Sequence, residues 1–182
     1  MRSTTLSVRD LAEIAIGAAL IAVCSWLSVP FAVPFTLQSF AVCLLAALLG
    51  RKRGLLTVLV YILLGAVGLP VFAGFKAGFG VLLGATGGYI VGFLPTALAI
   101  GLCTDRFGVK PLPLALAMLL GMLLCYACGT VWFMVVYTRG SGPIGVLSAL
   151  SCCVFPFLAP DALKCALALL LARRLYSVIN RR

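Results

Sequence analysis

The stretch Leu112-Pro-Leu-Ala-Leu-Ala-Met-Leu-Leu-Gly-Met-Leu-Leu-Cys-Tyr-Ala-Cys-Gly-Thr-Val-Trp-Phe-Met-Val-Val-Tyr137 carries no charge between Lys110 and Arg139. It is longer than the roughly 20 apolar residues that a helix needs to cross a bilayer core. Pro111 and Pro113 suit a first helical turn, where the missing N–H would have no partner in any case. Arg139-Gly-Ser-Gly-Pro143 then ends the run. A transmembrane helix is predicted over about 112–137.

Similar runs lie on both sides of it. Towards the N-terminus, a span of about 86–103 opens with Thr86, a candidate cap for a helix from Gly87 to Cys103, and ends at Asp105 and Arg106. Residues 54–72 close at Gly68 and Pro70, ahead of a glycine-rich stretch from Gly74 to Gly84 that reads as a loop and holds Lys76. Residues 35–50 stop at Arg51-Lys-Arg53, and residues 11–29 stop at Pro30 and Pro34, which cannot support an interior helical turn. Towards the C-terminus, residues 144–171 are too long for one span and contain Pro156 and Pro160. We divide them into a re-entrant or interfacial segment, about 144–157, and a sixth span, about 161–176.

The whole chain of 182 residues is therefore read as one all-α membrane domain with six transmembrane helices. Its composition agrees, with 64% hydrophobic and 10% charged residues, where soluble domains average about 25% charged. The mean hydropathy is +1.23.

A net charge of +10 could suggest nucleic acid, but the basic residues form short clusters between apolar runs rather than a surface stripe. Loops on the cytoplasmic side of a bundle carry excess Lys and Arg. Arg2 and Arg9, then Arg51 to Arg53, then Arg106 and Lys110, then Arg173, Arg174, Arg181 and Arg182 fall on one side of the predicted layout, and only Lys76 and Arg139 on the other. Both termini are expected in the cytoplasm. No cleavable signal peptide is expected, because Arg9, Asp10 and Glu13 precede the first span and no small-residue cleavage site stands out.

Several chemistries are disfavoured. There is no histidine, and the Cys125-x-x-Cys128 pair lacks a second ligand pair, so no metal is expected. The eight cysteines lie in or beside apolar runs, where free Cys packs as a small hydrophobe. No phosphate-binding loop, zinc-hydrolase helix or nucleophile elbow occurs, so neither ATP use nor enzymatic hydrolysis is expected of this chain, and no cofactor is implied.

Asp161 and Lys164 are the ionisable groups that stand out, because charge inside an apolar span is costly and tends to mark a substrate or ion path. Their spacing puts them on one helical face, which a simple ion pair would also explain. Thr36, Gln38 and Ser39 sit at a membrane boundary and could bond a ligand or merely cap a helix. Gly80, Gly84, Gly88 and Gly92 repeat every four residues, either as a smooth helical stripe or as a loop with exposed backbone. Tyr89 and Trp132 could line a pocket or anchor at the interface. Ala15, Ala18, Ala19 and Ala22 with Gly17 form a small face on the first helix, open to packing within the bundle or to a partner subunit.

Three stretches together resemble one family: Pro34-Phe-Thr-Leu-Gln-Ser-Phe-Ala-Val42, Gly68-Leu-Pro-Val-Phe-Ala-Gly-Phe-Lys76 with Gly84-Ala-Thr-Gly-Gly-Tyr-Ile-Val-Gly-Phe93, and Pro160-Asp-Ala-Leu-Lys164. The resemblance is to BioY, the biotin-specific substrate-binding (S) component of energy-coupling factor (ECF) transporters, and it runs over most of the chain. It implies the ECF S-component fold, with six helices and an outward pocket capped by the first and third loops. It also implies a multi-pass bacterial cytoplasmic membrane protein, in contact with lipid, that docks through the alanine face to a membrane scaffold (T) component bound to two ATPase subunits. The same resemblance implies that the whole subunit topples in the bilayer to release its cargo inward.

Biotin offers two ureido N–H donors, a carbonyl, an apolar ring and a carboxylate tail. On this resemblance Asp161 accepts ureido hydrogens, and Lys164 orients Asp161 or meets a ligand oxygen. Thr36, Gln38, Thr86, Tyr89 and the Gly87-Gly88 backbone complete the wall. Two departures from the family pattern are Ala85, where proline is common, and Lys76, in a loop usually carrying small or polar residues. Rival readings are an S component for another vitamin, a purely structural membrane protein, and an intramembrane enzyme using Asp161, for which no second acid or nucleophile is in view.

Overall fold

A computed structural model of the chain describes residues 6–29 and 33–179. Arg2, Pro30, Arg181 and Arg182, which entered the reading of topology and of the first helix end, lie outside the described residues.

Helix α1 (Val8–Trp26) opens with a reciprocal capping box, in which the Ser7 hydroxyl accepts from the Asp10 N–H and the Asp10 carboxylate accepts from the Ser7 N–H. This satisfies two end donors that the helix itself leaves orphaned. A two-residue antiparallel pair, β1 (Ser28–Val29) with β2 (Phe35–Thr36), follows and delivers the chain to α2.

Helix α2 (Gln38–Ala66) is broken at Gly50, whose φ of 73° and ψ of −172° are non-helical. The break is a reversal: a Cβ on Gly54 would lie 3.0 Å from the Cα of Ala46, whereas eight residues of continuous helix span about 12 Å. The two halves of α2 therefore run antiparallel, and the basic cluster Arg51, Lys52 and Arg53 begins the second half. Asp105, distant in sequence, accepts from the Arg51 N–H at 3.3 Å, capping that half across the bundle.

After α2 come a short 3₁₀ turn (Ala73–Phe75), α3 (Phe79–Leu83), α4 (Gly87–Phe107) and α5 (Pro111–Ser141). The last two helices are α6 (Val146–Cys153) and α7 (Phe155–Ile179). Helix α2 packs against α1, α4 and α7, while α5 lies along α4. Among the described residues, α4, α5 and α7 are long and apolar enough to cross a membrane. Their outer faces expose large apolar side chains, including Leu98 and Leu102 on α4, Leu116, Leu119 and Leu123 on α5, and Leu163, Leu167 and Leu170 on α7. So much exposed apolar surface suits lipid rather than water.

Two expectations change. The break expected at Pro156 and Pro160 falls instead at Val154, and α7 runs through Pro160 without interruption. Pro156 occupies the first turn, where no N–H partner is needed, and Pro160 removes only one bond from a helix braced by its neighbours. The four-residue glycine repeat is not one helical stripe, since Gly80 lies in α3 and Gly84 is its C-cap. Only Gly88 and Gly92 sit in α4 against α5, where added Cβ atoms would fall 2.2 Å from the Cβ of Trp132 and 3.1 Å from the Cα of Cys125.

Candidate functional site

A cavity of about 500 Å³ lies between the start of α2, the start of α4, the middle of α5, the start of α7 and the 72–86 connection. Its volume falls in the roughly 300–1,000 Å³ range of small-molecule sites. Lys76 and Gly80 line it and are also exposed, which puts its mouth beside that connection.

The polar floor is built where α7 meets α2. Asp161 and Lys164, 7% and 6% exposed, form an ion pair of 2.8 Å between Oδ1 and Nζ. Asp161 Oδ1 also accepts from the Ser39 hydroxyl at 3.1 Å, and Oδ2 accepts from the Tyr126 hydroxyl at 2.6 Å. Lys164 Nζ donates to the Thr36 carbonyl at 2.6 Å and sits 3.8 Å from the centroid of the Phe35 ring. A buried ion pair is tolerable only when its remaining hydrogen-bonding capacity is used, and here three further polar groups and an aromatic face contribute.

A second polar chain adjoins the floor. The Thr36 hydroxyl donates to Gln38 Oε1 at 3.0 Å, the Gln38 amide donates to the Tyr61 hydroxyl, and Tyr61 donates to the Val71 carbonyl at 3.2 Å. Tyr61 in turn meets Phe72 edge to face at 5.6 Å, and the Phe72 ring lies so close over Gly65 that a Cβ there would fall 2.1 Å from it. On the opposite wall, Tyr89 pairs its hydroxyl with that of Thr130 at 3.1 Å, and its ring packs on Gly129.

Of the residues named from sequence, Thr36, Gln38, Thr86, Tyr89, Asp161 and Lys164 all line this cavity. Gly87 and Gly88 do not. Each is buried against neighbouring chain, Gly87 on the Leu82 carbonyl and Gly88 on Trp132. Thr86 holds the N-cap position of α4 but makes no side-chain cap bond. Trp132 lies off the cavity and donates from Nε1 to the Gly84 carbonyl at 2.9 Å. Ala18 and Ala22 are buried within the bundle, whereas Ala15 and Ala19 face outward, so the four alanines straddle two environments. Sequence reasoning missed Tyr126, together with the apolar walls Phe72, Phe93, Met122 and Phe157. Tyr126 has no signal of its own in an apolar run, and only its hydroxyl's contact with Asp161 distinguishes it.

The arrangement combines lipid-facing helices with a chamber whose floor is a neutralised charge pair, whose walls are aromatic and whose mouth carries Lys76. It defines a helical membrane protein that holds a small, partly polar molecule. Comparisons with known proteins specify the kind. The profile of the BioY family matches residues 1–181, and the chain belongs to that family. A biotin transporter BioY of Thermotoga maritima is 43% identical over 169 residues, 92% of this chain and 96% of that one. A probable biotin transporter BioY of Pyrococcus horikoshii is 36% identical over 171 residues, 93% of this chain and 98% of that one. Among solved structures, the crystal structure of the S-component for biotin from an ECF-type ABC transporter superposes with a TM-score of 0.83 at 27% identity, covering 96% of this chain and 94% of that one. These relatives are named as transport proteins rather than enzymes.

Proposed function

We propose that the chain binds biotin at the extracytoplasmic side of the bacterial cytoplasmic membrane and carries it inward as the substrate-binding subunit of an ATP-driven ECF transporter. The observation that carries this reading is the floor in which Asp161, Lys164, Ser39 and Tyr126 converge at the end of a half-enclosed apolar chamber. A carboxylate held this way offers an acceptor to ureido N–H donors, and the aromatic walls suit an apolar sulfur ring.

The topology that goes with the reading has six crossings, in which the two halves of α2 count separately, with both ends in the cytoplasm. The direction of the helices supports it. Arg53 pairs with Glu13 near the start of α1, and Asp105 meets Arg51, so these charged groups share one end of the bundle. Asp161 and Lys164 meet Thr36 and Ser39 at the other end. The excess of basic residues at the first end suits the cytoplasmic face. ATP hydrolysis belongs to two partner ATPases, coupled through a membrane scaffold that grips the outward side of α1 at Ala15 and Ala19.

Equilibrium binding of radiolabelled biotin to the purified chain tests the assignment, with a panel of other vitamins as competitors. Saturable binding displaced by unlabelled biotin alone supports it. Saturation by a different vitamin points to an S component of other specificity, and the absence of any saturable ligand points to a structural membrane protein.

A further inference from the structure

Three charged side chains line the chamber: Asp161, Lys164 and Lys76. The first two cancel one another at 2.8 Å, and Lys164 is further engaged by the Thr36 carbonyl and the Phe35 ring. Lys76 has no side-chain hydrogen bond or ion pair among the described residues. The chamber therefore presents one uncompensated positive charge, at its rim rather than its floor.

The rim is held in place by the local backbone. Gly74 and Phe75 both adopt left-handed conformations, with φ of 67° and 58°, and Phe75 is the one non-glycine residue among those described to do so. Such a conformation is disfavoured for a residue with a side chain and persists only when its surroundings impose it. Here they do: the Phe75 ring stacks on Trp26 at 5.0 Å, Trp26 Nε1 donates to the Pro70 carbonyl at 2.8 Å, and the Phe72 N–H donates to the Lys76 carbonyl at 3.1 Å. The turn thus fixes the base of Lys76 while its four-carbon stem and compact ammonium stay free to meet a charge.

We propose that Lys76 is a specificity-determining residue that receives the carboxylate on the ligand's flexible tail, while the Asp161 floor takes the ring at the opposite end. This rests on the reading that the ligand is biotin. Its consequence is selection for the free acid over neutral amides of the same molecule, a discrimination the paired floor cannot provide because it carries no net charge.

The test measures equilibrium binding of biotin and of its neutral carboxamide to the detergent-purified full chain, as wild type, Lys76→Gln and Lys76→Arg. The expected wild-type preference for the acid is about fivefold, the scale of an exposed ion pair, and it shrinks with added salt. Lys76→Gln abolishes the preference by weakening acid binding alone, and Lys76→Arg retains it. A preference unchanged in Lys76→Gln, or an equal loss for both ligands, overturns the role of Lys76 while leaving biotin as the substrate. Wild-type protein that binds neither ligand overturns the biotin reading and this inference together.

Discussion

Asp161 and Lys164 each make the other's burial tolerable, and this mutual dependence can be separated from their proposed role towards the ligand. Lys164→Met leaves the Asp161 carboxylate buried without its cation, and removing one partner of a buried pair costs about 3–5 kcal/mol. The expected result is a large drop in the thermal unfolding midpoint in detergent. The double variant Asp161→Asn with Lys164→Met removes both charges and is expected to regain much of that stability, yet to bind biotin about 10–100-fold more weakly, the loss of a charge-assisted hydrogen bond. Normal affinity in the folded double variant would remove both residues from the site. These two positions were legible in the sequence because ionised groups are rare inside apolar runs. Tyr126 was not, since an aromatic residue among leucines reads the same whether its hydroxyl is bonded or idle. Gly87 and Gly88 were legible as special but not as to purpose: a glycine signals close approach, and only the structure shows that the approaching groups are Leu82 and Trp132 rather than a ligand.

At the level of elements, the reversal within α2 and the contact of α4 with α5 both depend on missing side chains. Gly50→Ala introduces a Cβ at a φ of 73° and places it 2.3 Å from the Asp105 carboxylate. It is expected to lower stability by at least about 1–2 kcal/mol from the backbone alone, read as an earlier unfolding transition. Asp105→Ala, which removes only the cap on Arg51, is expected to cost about 1 kcal/mol. Gly129→Ala drives a methyl to 2.2 Å from the Tyr89 ring. About 1–3 kcal/mol of overpacking should follow, together with weaker biotin binding, because Tyr89 is a wall of the chamber; binding as tight as wild type would show that Tyr89 is a bystander. The reversal at Gly50 was visible in the sequence as a basic cluster between two apolar runs. The continuity of α7 was not, because a proline in a solvated segment breaks a helix more readily than one supported by packed neighbours.

For the molecule as a whole, the proposed function places capture of the ligand and coupling to ATP on different surfaces. Ala15 and Ala19 face outward from α1, away from the chamber lining. Enlarging both with Ala15→Trp and Ala19→Trp is expected to abolish co-purification with the scaffold and ATPase subunits while biotin affinity of the isolated chain stays unchanged. Retained co-purification would assign the contact to another face. The alanine pattern was legible, but its division between Ala18 and Ala22 inside and Ala15 and Ala19 outside was not, since that depends on the angle at which α2 lies beside α1. The tie between Trp26 and the 70–75 turn joins the helix that bears the proposed docking face to the rim of the chamber. Seven residues of helix, about 10 Å, separate Ala19 from an indole that is bonded to Pro70 and stacked on Phe75. Under the proposed docking, helix α1 is a lever with the scaffold's grip at one arm and the doorway at the other, and any tilt imposed from outside reaches the threshold the cargo must cross.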